Sequence, residues 1–167
     1  PSLFITDKTR SWGNAIDFGH IARLIEPHTA GRKVTCLGNS MGGFNAIVMS
    51  SFLDVDACIA FAPQYSVSAK VVPNERRWMQ YRDLITDYRI ESLAGHFNDT
   101  TRYVTVNGDA PIEEEHWRHF PRKPNCSHLV AHDSEHEVVL VLKRNGVLNS
   151  FLHACIWGDP FQPVLDG

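Results

Sequence analysis

Lys33–Phe52 reads KVTCLGNSMGGFNAIVMSSF. A short β-branched and apolar run, Val34–Leu37, leads into Gly38-Asn39-Ser40-Met41-Gly42-Gly43, and an apolar helical run follows over Phe44–Phe52. A G-x-S-x-G match alone is common by chance, and its bland counterpart is a glycine-rich turn with an incidental serine. Set between a strand and a helix, it predicts a sharp turn that lifts the serine hydroxyl above the sheet edge. Gly38 and Gly42 are then expected where a side chain would clash with strand or helix. The helix after the serine aims its positive end at the reacting centre, where an oxyanion would form.

The rest of the chain reads as elements alternating around this unit. Leu3–Thr6 predicts a short strand and Asp7–Asn14 a polar loop. Ala15–Glu26 carries apolar residues at helical spacing, with Pro27 as its stop. Asp54–Ala62, Arg102–Val106 and Ser127–Ala131 predict further strands. Glu75–Ile90, Pro111–Phe120 and Glu137–Cys155 predict helices, the last weakened near Gly146, and the tail from Gly158 reads as irregular. Five strands alternating with helices imply an α/β fold, a mostly parallel sheet flanked by helices. Ligands of such sheets bind at the carboxyl ends of the strands, where the loops after Leu37, Val106 and Ala131 fall.

The hexapeptide GNSMGG and its context resemble the α/β-hydrolase superfamily. The resemblance implies a compact or truncated α/β-hydrolase fold, a single domain over 1–167 with a small cap over 64–98. It also implies a Ser…Asp/Glu…His triad in that chain order. Ser40 is the nucleophile. The base follows the last strand, where AHDSEHE offers His132 and His136; His136, at the start of the final helix, fits the family's placement. The acid follows the preceding strand, where Asp109 in VNGDAP leads and Glu113 and Glu114 are the alternatives. The backbone N–H of Met41 supplies one oxyanion donor. The family's second donor comes from a loop after an earlier strand, and only one predicted strand precedes the elbow. The loop DKTRSWGN is then the source of a donor and of pocket-lining residues, so Lys8, Arg10 and Trp12 join Asn39 as substrate-site candidates.

The implied activity is a serine hydrolase acting on an ester, thioester or amide through an acyl-enzyme. An acyltransferase with the same triad, or a hydrolase fold used as a non-catalytic binding module, are the alternatives. The expected partner is a small-molecule or acyl substrate, with no cofactor and no metal. His116 and His119, or His128 and His132, share helical or strand spacing, but no nearby set completes a zinc signature.

Composition sets outer bounds. With 167 residues the chain can bury a core as one domain, and its net charge of −3 gives no nucleic-acid or polybasic membrane signal. No apolar run approaches the roughly 20 residues of a membrane span. Cys36, Cys58, Cys126 and Cys155 form no C-x-x-C pair and read as small buried thiols, which favours a reducing, cytoplasmic compartment. Trp78, Tyr81 and Tyr88 are either a cap over the site or the buried face of a helix. Arg76, Arg77, Arg82 and Arg89 are either an anion-attracting set or a solvated face.

Overall fold

The computed structural model describes residues 2–161. Its centre is a four-stranded parallel sheet in the sequential order β1-β2-β3-β4. The strands are β1 (Thr35–Asn39), β2 (Ala57–Phe61), β3 (Arg102–Gly108) and β4 (Cys126–Ala131). A sheet that grows in one direction by right-handed crossovers carries its connections on one face. Here α1 (Phe18–Thr29), α2 (Met41–Met49) and the 64–97 segment pack with Cys58, Ala60 and Tyr103 on that face. The chain returns after β4 through α5 (Val138–Arg144) and α6 (Leu148–Trp157), which cover Ile59, Phe61, Val104 and Val106 on the other. Alternation along β2 thus feeds two cores, and all five of its residues are buried. No described helix is long and apolar enough to cross a membrane, and all four cysteines are free thiols.

Four expectations are corrected. Leu3–Thr6 is not a strand: the segment is exposed and pairs with nothing among the described residues, because an apolar run becomes a strand only beside a partner ladder. Pro27 does not stop α1, which starts at the Asp17 cap and runs one turn further to Thr29. The long final helix divides at Gly146, whose left-handed φ of 73° closes α5; Gly146 N–H bonds Lys143 O and Val147 N–H bonds Leu142 O. The tail beyond Phe161 lies outside the described residues.

The fourth correction bears most on the site. Glu75–Ile90 forms only one short helix, α3 (Met79–Arg82), with Trp78 before it in the left-handed region at φ 63°. Local side-chain bonding competes with the helix here. The Arg77 N–H donates to Glu75 Oε1 at 2.7 Å, and Arg82 donates to the Glu75 carbonyl. Farther on, Asn14 exchanges two bonds with the backbone of Ile90, tying this segment to the 7–14 loop.

Candidate active site

The elbow owes its shape to two close approaches. A Cβ at Gly38 would stand 2.1 Å from the Gly42 carbonyl oxygen, so the end of β1 can pass under α2 only as glycine. Gly43, not Gly42, faces the neighbouring strand: its missing Cβ would lie 3.2 Å from Pro63 Cβ, whereas nothing lies within 4 Å of one at Gly42. The expectation for Gly42 is therefore corrected, since its α-hydrogen points into open space. Gly38→Ala should cost about 3 kcal/mol or more, with overpacking against backbone as the cause. Gly42→Ala should leave stability unchanged or raise it by about 0.5–1 kcal/mol, the helix-propensity gain. Urea unfolding of the two variants checks both, and equal costs would contradict this geometry.

Ser40 occupies the apex at φ 55° and ψ −123°, with its N–H bonded to Phe61 O at 2.7 Å. Met41 is the first residue of α2, so its N–H belongs to the helix end that has no intrahelical acceptor. Among the described residues five other non-glycine positions have positive φ: Arg10, Trp12, Ala62, Trp78 and Asp133. Each sits in the 7–14 loop, just past β2, in the 64–97 segment or in the loop after β4, all segments that gather around Ser40. Such conformations cost about 1–3 kcal/mol each and collect at functional sites.

His136 is brought to Ser40 across the top of β3. Gly108, the last residue of that strand, leaves room for the crossing chain; a Cβ there would meet the carbonyl oxygens of Ser134 and Glu135 at 2.2 Å. Asp109 then clamps the same loop. Its carboxylate accepts the N–H groups of Asp133 and Ser134 at 3.1 and 3.2 Å and lies 3.4 Å from His132 Nδ1. The Ser134 and Asp133 amides hold Asp109 below its ordinary carboxylate range.

His136 Nε2 lies 2.8 Å from Ser40 Oγ, and its Nδ1 lies 3.0 Å from Glu113 Oε1. Asp109, the leading candidate for the acid, is thus not the residue against His136; Glu113, an alternative, is. The reason is local geometry. Asp109 leaves β3 on the side of the 132–134 loop, while Glu113 lies in the first turn of α4 (Pro111–Trp117) with its side chain buried. His132 faces Asp109 with an exposed side chain. Burial pushes the Glu113 carboxyl up, but the bonds from His136 and Arg77 outweigh it and hold the group below its ordinary value.

Behind Glu113 lies a chain of buried charge. Arg77 donates to Glu113 Oε1 and, through Nε and Nη2, to both oxygens of Glu75. Glu75 Oε2 in turn lies 2.9 Å from His116 Nε2, and His116 Nδ1 accepts the Tyr65 N–H at 3.1 Å. Burial raises the Glu75 carboxyl, yet its His116 and Arg77 partners bring it down to about 2. Of the four arginines of this segment, Arg77 and Arg82 are tied inward while Arg76 and Arg89 are exposed. Trp78 stands beside His136, the two ring centres 6.4 Å apart.

The 7–14 loop is placed beside the site, with most of its amides engaged within the loop. Asp7 is buried and accepts the N–H groups of Thr9, Ser11 and Gly13, while those of Arg10 and Asn14 are spent within the loop. These five amides are therefore not free to bind an oxyanion. Lys8 and Arg10 stand exposed, with the Arg10 guanidinium 4.6 Å from the centre of the Tyr81 ring. Trp12 is only 3 % exposed and does not line an open pocket. It donates Nε1–H to Gln64 Oε1 at 3.1 Å, and that oxygen lies 3.4 Å from Ser40 Oγ. Gln64 is fully buried, and its Nε2 has no partner among the described residues. Asn39 ends β1 with an exposed side chain next to Ser40.

Sequence reasoning missed Gln64 and Glu75, and read Arg77 as anion-attracting or solvated where it bonds Glu75 and Glu113. For Glu113 a signal was available: Glu113, His116, Trp117 and Phe120 fall at helical spacing, which puts Glu113, unlike Glu114, on the inward face. Two other histidines weighed as metal ligands are engaged elsewhere, His119 stacked on Tyr65 and His128 bonded to Thr105 and the Pro121 carbonyl.

No protein-family model matches the chain, and no curated protein matches it in sequence. Among solved structures, MenH from S. aureus superposes with a TM-score of 0.48 at 11% identity, over 91% of this chain and 77% of that one.

Proposed function

We propose that this chain is an α/β-hydrolase-like serine hydrolase that cleaves a carboxylic ester, thioester or amide, with Ser40, His136 and Glu113 as its triad. The observation that carries the reading is the position of His136, which bridges Ser40 Oγ at 2.8 Å and the buried Glu113 carboxylate at 3.0 Å. A serine hydroxyl is a weak nucleophile until a base takes its proton. In this reading Glu113 accepts Nδ1–H, which fixes the tautomer and leaves the Nε2 lone pair facing Ser40.

Ser40 Oγ forms a bond to the substrate carbonyl carbon as its proton passes to His136 Nε2. The carbonyl oxygen becomes an oxyanion, held by the Met41 N–H at the positive end of α2. In this reading the second donor comes from the 7–14 loop, where the N–H groups of Lys8 and Trp12 are not spent on bonds within the loop. The tetrahedral species collapses, the bond to the leaving group breaks, and that group departs with the proton from His136. Water then gives a proton to His136 and its oxygen to the acyl carbon, and Ser40 leaves with the proton restored. Glu113 remains ionised throughout and offsets the imidazolium charge.

A panel of p-nitrophenyl esters of increasing acyl length, with the matching thioesters and p-nitroanilides, tests the reading. Turnover should be saturable and lost in His136→Ala. Adding alcohol acceptors then separates hydrolysis from acyl transfer, because transfer yields a new ester in place of free acid. A folded protein that turns over no ester, thioester or anilide in the panel would contradict the proposal and favour a binding module.

A further inference from the structure

The buried charge behind Glu113 is larger than orientation of one imidazole requires. Glu75 and His116 have fully buried side chains, that of Glu113 is 1% exposed, and that of Arg77 is 27% exposed. Removing charge from water is costly unless geometry is good and the remaining polar atoms are satisfied. Here Glu75 receives a forked pair from Arg77, an N–H from the same residue and the His116 ring. His116 Nδ1 accepts a backbone N–H, so this ring is the neutral tautomer that donates through Nε2. Two carboxylates and one guanidinium therefore leave one net negative charge, and the group that meets it is His136.

We propose that Arg77, Glu75 and His116 are a positioning network that seats Glu113 and sets, through its net charge, the pH above which His136 acts as a base. This rests on the triad proposed above. Arg77 and His136 share the same Glu113 oxygen, so the guanidinium weakens the carboxylate's hold on the imidazolium. Glu75 sits behind Arg77 and acts in the opposite sense. The other charged groups near His136 are Glu135 and Glu137 on its own loop, and Asp109, which is engaged with the 133–134 amides and His132. Ser40, Gln64 and Trp78 contribute no charge. Arg82, bonded to the Glu75 carbonyl, is common to every variant compared below. Because Arg77 and Glu75 belong to the 64–97 segment, the network also ties the covering segment to the triad.

The rate of covalent labelling by a fluorophosphonate, measured against pH, reads the base without any knowledge of the substrate. Arg77→Met leaves an extra negative charge facing His136, so the midpoint of the rising limb should move up by about one pH unit. Glu75→Gln removes a negative charge, so the midpoint should move down. The double variant restores the parent's net charge and should return close to the parent. Arg77→Lys, which keeps the cation and the packing, should shift far less than Arg77→Met. Near-UV circular dichroism identifies the folded variants. A purely structural role lowers rates without moving midpoints in opposite directions. An unchanged midpoint in folded Glu75→Gln, together with one in Arg77→Met if it folds, would overturn the proposal while leaving the triad intact, as would an Arg77→Lys shift as large as that of Arg77→Met. A parent that does not label at all would overturn the triad reading and this network's role together.

Discussion

Ser40→Ala is expected to lower ester turnover by about 10⁶-fold while leaving the fold intact. The substitution removes one oxygen that makes two contacts, to His136 and to Gln64, from a half-buried apex. Alanine meets the left-handed φ of 55° with the same Cβ that serine carries, so the elbow keeps its geometry. The loss is chemical: without Oγ no acyl-enzyme forms, and only the oxyanion donors and substrate binding remain. Since the triad acts as a unit, Ser40→Ala combined with His136→Ala should be hardly slower than either alone. Steady-state rates with an activated ester measure this. A Ser40→Ala protein within about tenfold of the parent would remove the serine from the chemistry, because losing the nucleophile itself costs orders of magnitude more.

The second large effect separates two acids. Glu113→Gln should lower turnover by roughly 10³–10⁴-fold, through loss of the charge that orients His136 and offsets its imidazolium. Asp109→Asn should stay within about tenfold of the parent. Asp109 touches the 133–134 amides and His132, so its removal loosens a loop rather than uncovering the base. Glutamine preserves the shape of Glu113 and an acceptor for Arg77, which limits structural damage. The ranking is the test: a larger loss in Asp109→Asn than in Glu113→Gln would return the acid role to Asp109. Thermal unfolding of both variants shows whether a loss reflects stability instead.

The strand–turn–helix around Ser40 and the place of His136 ahead of the next helix were legible because their signals are short-range. A β-branched run, a small-residue hinge and an apolar helix adjoin each other in Val34–Met49, and His136 directly precedes a helix. The parallel sheet followed from strands alternating with helices, and its loops gathered at one edge as topology requires. What escaped was decided by contacts distant in sequence. Glu113 wins over Asp109 because α4 turns one carboxylate inward while the other is consumed by the loop after β4. Glu75–Ile90 has helical composition, yet Glu75 and Arg77, two residues apart, meet His116 and Glu113 on α4 and break the helix to do so. Leu3–Thr6 has strand composition but no partner beside it. Gln64 gives no local signal at all, since its place next to Ser40 comes from the pairing of β1 with β2 and the Trp12 bond from another loop.

Every step of the proposed reaction requires Ser40 to be an activated nucleophile. The most direct test is intact-protein and peptide mass spectrometry after exposure to a fluorophosphonate. One adduct per chain is expected, located on the peptide that contains GNSMGG and on Ser40 itself, absent in Ser40→Ala and strongly slowed in His136→Ala. A folded protein that acquires no adduct, or acquires it on another serine such as Ser11 or Ser134, would contradict the account.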